Sequence, residues 1–166
     1  MRRRILFLDV DGVLNTSADE DPDFMNPKHL NILNELQEEL GFEIVLSSTW
    51  RCIFDIETFN TKFLGFGSKV MVKDYTPESF QLPDRHVGDG YYAYGGRSKR
   101  GDEIQAWLDE HELVPGENVS ICIIDDMDVE NFRSLSKYFI KTSMESGLHE
   151  GHRKWVREIF AKQEKI

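Results

Sequence analysis

The chain is 166 residues long, 40% apolar and 11% aromatic, with a net charge of −10; that length builds one domain able to bury a core without disulfide or metal staples, and the apolar content excludes a disordered chain. Its apolar runs reach four residues, as in Ile5–Leu8 and the Ile121–Ile124 part of Val119–Ile124, against the roughly 20 of a membrane-spanning helix, and the run behind Arg2-Arg3-Arg4 stops at Asp9, too soon for a signal peptide, so a cytoplasmic protein without membrane insertion is expected. The acidic balance repels phosphate backbones at long range and argues against a general nucleic-acid-binding surface.

Arg4–Leu8 reads as a short buried strand ended by charge and Gly12. A polar loop follows, then Asn26-Pro27 opens a helix carrying Leu30, Leu33, Leu36 and Leu40 and stopped by Gly41. Phe42–Leu46 is a second strand, closed by Ser47-Ser48-Thr49. Ile53, Ile56, Phe59 and Phe63 mark a second helix ending near Gly65, and Lys69–Val72 a short strand. Residues 73–98 carry no convincing period, only prolines, glycines and the cluster Tyr91-Tyr92-Ala93-Tyr94; such a segment is expected to be a substrate-facing loop or small insert. Ile104, Trp107, Leu108 and His111 mark a third helix, Val119–Ile124 a third strand closed by Asp125-Asp126, Tyr138–Ile140 a further strand, and Trp155, Val156, Ile159 and Phe160 a final helix.

Apolar strands alternating with helices predict a Rossmann-like, three-layer α/β/α domain with a central parallel sheet, spanning 1–166. Ligands bind such sheets at the carboxyl ends of the strands. The residues ending the strands are Asp9 with Asp11, Ser47 with Ser48, and Asp125 with Asp126. Three separate segments thus converge on one edge. An aspartate such as Asp9 is a competent nucleophile towards phosphorus, and a second, Asp11, can protonate the leaving oxygen and later deprotonate water. So many carboxylates together call for a cation, and hard oxygen donors suit Mg²⁺. Ser48 can donate to a phosphate oxygen; Arg100 or Lys99, at the start of the third helix, can add positive charge where helix N–H groups already favour anions. A calcium loop of the EF-hand type does not fit, because Gly12 falls too early and a strand precedes it.

Asp9-Val10-Asp11-Gly12-Val13-Leu14 behind a hydrophobic strand resembles motif I of the haloacid dehalogenase (HAD) superfamily of phosphohydrolases. Val45-Leu46-Ser47-Ser48 is similar to motif II, Arg100-Gly101-Asp102-Glu103-Ile104 to the motif III helix start, where lysine is commoner, and Ile123-Ile124-Asp125-Asp126 to motif IV. Ser48-Thr49-Trp50-Arg51, Glu103-Ile104 with Trp107-Leu108, and Ser146-Gly147-Leu148 resemble a subfamily of short HAD domains that includes those of RNA-repair proteins. The resemblance implies an Mg²⁺-dependent phosphomonoesterase working through an aspartyl-phosphate. It implies the metal on Asp9, the Asp11 backbone carbonyl and Asp126, with Asp125 supporting them directly or at one remove, and the phosphate on Ser48 and either Arg100 or Lys99. Against this stand a catalytically silent phospho-ligand module and a nucleic-acid end phosphatase in a repair complex.

Only 36 residues separate Asp11 from Ser48, and 51 separate Ser48 from Arg100, too few for the large cap of many HAD phosphatases. The expected pocket is open, rimmed by residues 15–24 and 73–98, and its substrate a macromolecular phosphate: a phosphoprotein, or a nucleic-acid end steered by Arg97, Lys99 and Arg100. Arg51 reads as a substrate contact or an exposed helix-start residue. Cys52 and Cys122, 70 positions apart, read as buried thiols without a disulfide or zinc partner, and the five histidines as surface or partly packed.

Overall fold

The strand Arg3–Leu8 (β1) is the central strand of a parallel sheet in the computed structural model, which describes residues 2–78, 85–87, 91–93 and 99–165. After it come Pro27–Leu40 (α1), Glu43–Leu46 (β2), Ile56–Phe66 (α2), Asp74–Tyr75 (β3), Arg85–Val87 (β4), Tyr91–Ala93 (β5) and Arg100–Glu110 (α3). Val119–Asp125 (β6), Phe139–Lys141 (β7) and Arg153–Gln163 (α4) complete the order, with 3₁₀ turns at Thr49–Cys52, Val129–Tyr138 and Glu150–His152. The five-stranded sheet runs β3-β2-β1-β6-β7, every pair parallel, and β4 and β5 form a separate antiparallel pair.

Alternate side chains of a strand point to opposite faces, and here each face has its own core. Leu6, Leu8, Ile44, Leu46, Cys122 and Ile124 pack with Leu30 and Leu33 of α1, Phe59 and Phe63 of α2, and Val156 and Phe160 of α4. Ile5, Phe7, Val45, Ile121 and Ile123 pack on the other side with Ile104, Trp107 and Leu108 of α3 and with Phe132 and Leu135. These are the expected three layers. Leu8 stands opposite Leu46 on one side and Ile124 on the other, so β1 and β2 end level, β6 runs one residue further, and Asp9, Ser47 and Asp125 fall side by side. Among the described residues no cap domain stands over that edge, and no helix is long and apolar enough to cross a membrane.

Several details differ from the sequence reading. The strand expected at Lys69–Val72 forms instead at Asp74–Tyr75. Side-chain amides occupy the backbone before it: Asn60 exchanges two hydrogen bonds with Val72 (Val72 N to Oδ1 at 2.7 Å, Nδ2 to Val72 O at 3.0 Å), and Asn34 Oδ1 accepts from Lys69 N. α2 starts at Ile56, capped by Asp55, and leaves Ile53 outside it and 69% exposed. Trp155 is 52% exposed, off the buried stripe of α4 that Val156 and Phe160 form. Cys52 is exposed while Cys122 is buried, and His29 and His152 are buried, His29 because Nδ1 meets the Leu148 carbonyl at 2.7 Å. Of the segment 73–98, residues 79–84, 88–90 and 94–98, with Tyr94 and Arg97, lie outside the described residues.

Candidate active site

Asp9, Ser47 and Asp125 follow the last paired apolar residues of β1, β2 and β6 and continue the side-chain parity of Phe7, Val45 and Ile123, which face α3. Backbone bonds hold them level: Asp9 N donates to Ile124 O at 3.0 Å and Ser47 N to Leu8 O at 2.9 Å. After Asp9 the chain turns at once, with Val13 N and Leu14 N both donating to Val10 O. Gly12 takes φ +74°, and a Cβ there would lie 2.5 Å from Asp126 Oδ2; only glycine lets the two loops approach this closely. Asp9, Asp125 and Asp126 each offer an oxygen within 4.8 Å of the others.

Charge in this cluster is unbalanced. Asp9 is 5% exposed and Asp125 1%. Burial, then the neighbouring Asp125 charge, pushes the Asp9 carboxyl well above its ordinary range, while Arg100 and hydrogen bonds from Val10 N–H and the Ser48 side chain pull the other way. Burial lifts Asp125 to about 6 against the pull of Arg100 and the Met127 N–H. Buried carboxylates this close cannot both ionise without a proton between them or a cation beside them.

Arg100 is the cation facing them. Its Nε lies 3.8 Å from Asp125 Oδ2 and 3.9 Å from Glu103 Oε1, and its Nη1 donates to the Ser47 carbonyl. Lys99 instead occupies the cap position of α3, its backbone N–H bonded to Asp102 Oδ2 at 2.7 Å. The Arg51 side chain is buried, paired through Nη2 with Glu103 at 2.6 Å and bonded through Nη1 to the Ser48 carbonyl, so it ties the β2 turn to α3. Gly101 sets the height of α3: a Cβ there would lie 2.7 Å from the Phe132 Cα. Next to Phe132, Arg133 has φ 49° and ψ −124° and an Nε 2.9 Å from Asp102 Oδ1, a strained backbone kept where it locks the helix start.

Both serines are buried. Ser48 Oγ accepts from Trp50 N at 3.3 Å, whereas Ser47 Oγ has no hydrogen-bond partner among the described residues, a buried hydroxyl at the strand edge. The segment after β7 braces the turn from behind: Thr142 Oγ1 donates to Gly12 O at 2.6 Å, Leu148 N to Val13 O at 2.8 Å, and Ser17 N to Met144 O at 2.7 Å. Asp11 is partly exposed and opens onto a cavity of about 460 Å³ whose wall includes Thr16, Asp19, Asp23, Trp50, Ile53 and Met144.

Residues 5–152 match the family described as the HAD domain in Swiss Army Knife RNA repair proteins. The chain belongs to that family. No curated protein matches it. The matched span takes in every residue named at the strand edge and in the brace. Two partners of Asp11 in this HAD domain, Asn15 and Trp50, escape sequence reasoning as such: Asn15 reads as loop, and Trp50 only as part of the stretch that resembles short HAD domains.

Proposed function

We propose that this HAD domain is an Mg²⁺-dependent phosphomonoesterase acting on a macromolecular phosphate. The observation that carries the reading is the meeting of Asp9, Asp125 and Asp126 within 4.8 Å beside the buried Arg100. The donor set fits a hard divalent cation: all oxygens, with more buried negative charge than Arg100 offsets. Asp9, the Asp11 carbonyl, Asp126 and Asp125 would hold it, and when bound it would neutralise phosphate charge during displacement.

Asp9 attacks phosphorus in line, forming an O–P bond as the ester P–O bond breaks. Asp11 delivers the proton that the leaving oxygen needs, and becomes the carboxylate that takes a proton from the water cleaving the aspartyl-phosphate. Arg100 balances charge at the strand edge while its guanidinium holds the Ser47 carbonyl. Ser48 remains the proposed hydrogen-bond donor to the phosphate, and the Ser47 hydroxyl, without a partner among the described residues, joins it.

The cavity beside Asp11 is open and carries Asp19, Glu20, Asp21 and Asp23 on its wall, which favours a phosphoprotein over a polyanionic leaving group. The printed description of the family favours the second reading, a nucleic-acid end. Phosphate release from a basic phosphoserine peptide and from 3′- and 5′-phosphorylated RNA decides between them. Steady Mg²⁺-dependent release from the peptide supports the first reading. Release from RNA alone replaces it with the second, and a single phosphate per chain, or none, overturns both.

A further inference from the structure

We propose that Asn15 and Trp50 are positioning residues that clamp one oxygen of Asp11 and leave the other to carry the proton; the inference rests on the phosphatase reading above. Asn15 Nδ2 donates to Asp11 Oδ1 at 2.8 Å, and Trp50 Nε1 donates to the same oxygen at 3.1 Å. Among the described residues no hydrogen bond reaches Oδ2. An oxygen accepting two N–H bonds is the poorer place for a proton, so the acid form of Asp11 keeps its hydrogen on Oδ2. The two oxygens are thereby given different work.

The clamp is itself held rigidly. Asn15 is 5% exposed and its Oδ1 accepts from Gly12 N at 3.0 Å. One amide therefore fixes both the carboxylate of Asp11 and the Asp11–Gly12 peptide plane, which sets the direction of the Asp11 carbonyl. Trp50, 3% exposed, has its ring packed on Phe54 and Phe59 at centroid distances of 5.6 and 6.1 Å, and its backbone N–H on Ser48 Oγ. An indole N–H is a donor only, and here it is spent on a partly exposed carboxylate 39 positions away. Packing explains the ring of Trp50. It does not explain the direction of the N–H.

Two variants separate these roles. Trp50→Phe keeps the aromatic packing and removes the donor; Asn15→Asp keeps the acceptor for Gly12 N and removes the donor to Asp11. Proton delivery matters for an alkyl leaving group and little for nitrophenolate. In each variant kcat on a phosphoserine peptide should fall about tenfold and on 4-nitrophenyl phosphate about twofold, so the ratio of the two changes about fivefold while KM stays within about twofold. Equal losses on both esters overturn the clamp and leave Trp50 a packing residue. A second readout needs no turnover. The chain has three tryptophans, and the indole N–H resonance absent from Trp50→Phe identifies Trp50; it should move in Asp11→Ala. An unmoved resonance overturns the clamp even in an active enzyme. A wild type inactive on both esters overturns the phosphatase reading, and the catalytic role of the clamp with it.

Discussion

Asp125 is buried to 1% exposure beside Asp9, and burial lifts its carboxyl to about 6. Unfolded, the group titrates near 3.8, so between these values the native state holds a proton that the unfolded chain has released. Native stability from this group is therefore present at low pH and is lost as pH rises through about 6, by up to about 3 kcal/mol at 1.36 kcal/mol per unit. Asp125→Asn removes that cost while its amide oxygen still accepts from Met127 N. In a chelator the variant should melt several degrees above wild type at pH 8 and level with it at pH 4, read by calorimetry. Equal melting at both pH values would show that the cluster carries no excess charge. At Asp9, Asn substitution keeps the shape and removes the nucleophile, so phosphate release should fall by about 10³-fold or more; retention of a tenth of the activity excludes the role. The convergence of Asp9, Ser47 and Asp125 on one sheet edge was legible from the sequence because each follows an apolar run, and ligands bind parallel sheets at the ends of their buried strands. Asn15 and Trp50 were not, because their significance lies in a meeting across the fold that neither residue's neighbours encode.

At the scale of the element, α3 acts as the carrier of Arg100. Its height depends on Gly101, where an added Cβ would meet the Phe132 backbone at 2.7 Å. Gly101→Ala should cost about 1–3 kcal/mol of stability and lower activity more than Lys99→Ala, since the displaced helix takes Arg100 away from Asp125. A thermal melt and kcat measured on both variants check this, and an active Gly101→Ala enzyme would show that the helix tolerates the shift. Elements with strong local signals lie where the sequence put them: α1 with Asn26 and Pro27 at its start, and β6 as an unbroken buried run. The weak signal failed at β3. Lys69–Val72 has strand-like residues, yet its peptide groups bond to Asn34 and Asn60 from two helices, and no local pattern reports such partners. β7 came out one residue displaced from the expected span, an ordinary uncertainty where a 3₁₀ stretch runs into a strand.

For the whole molecule, the proposed cation would link binding to folding. A cation held by Asp9, Asp125 and Asp126 binds the native state alone, which at a hundred times its dissociation constant adds about 2.7 kcal/mol. Mg²⁺ should raise the melting temperature in wild type, and Asp126→Ala should remove the rise; identical melts with Mg²⁺ and with chelator would sink the metal assignment. The brace behind the Asp9–Gly12 turn carries a consequence in time. In the sheet β6 lies beside β1 but is made over a hundred residues after it, and Thr142 closes on Gly12 across 130 positions. Contacts so distant in sequence form late. A nascent chain halted before Thr142 would carry Asp9 and Asp11 on an unsupported turn. On the function proposed above, competence for chemistry thus comes only once Thr142 is in place, and shorter nascent chains would lack it.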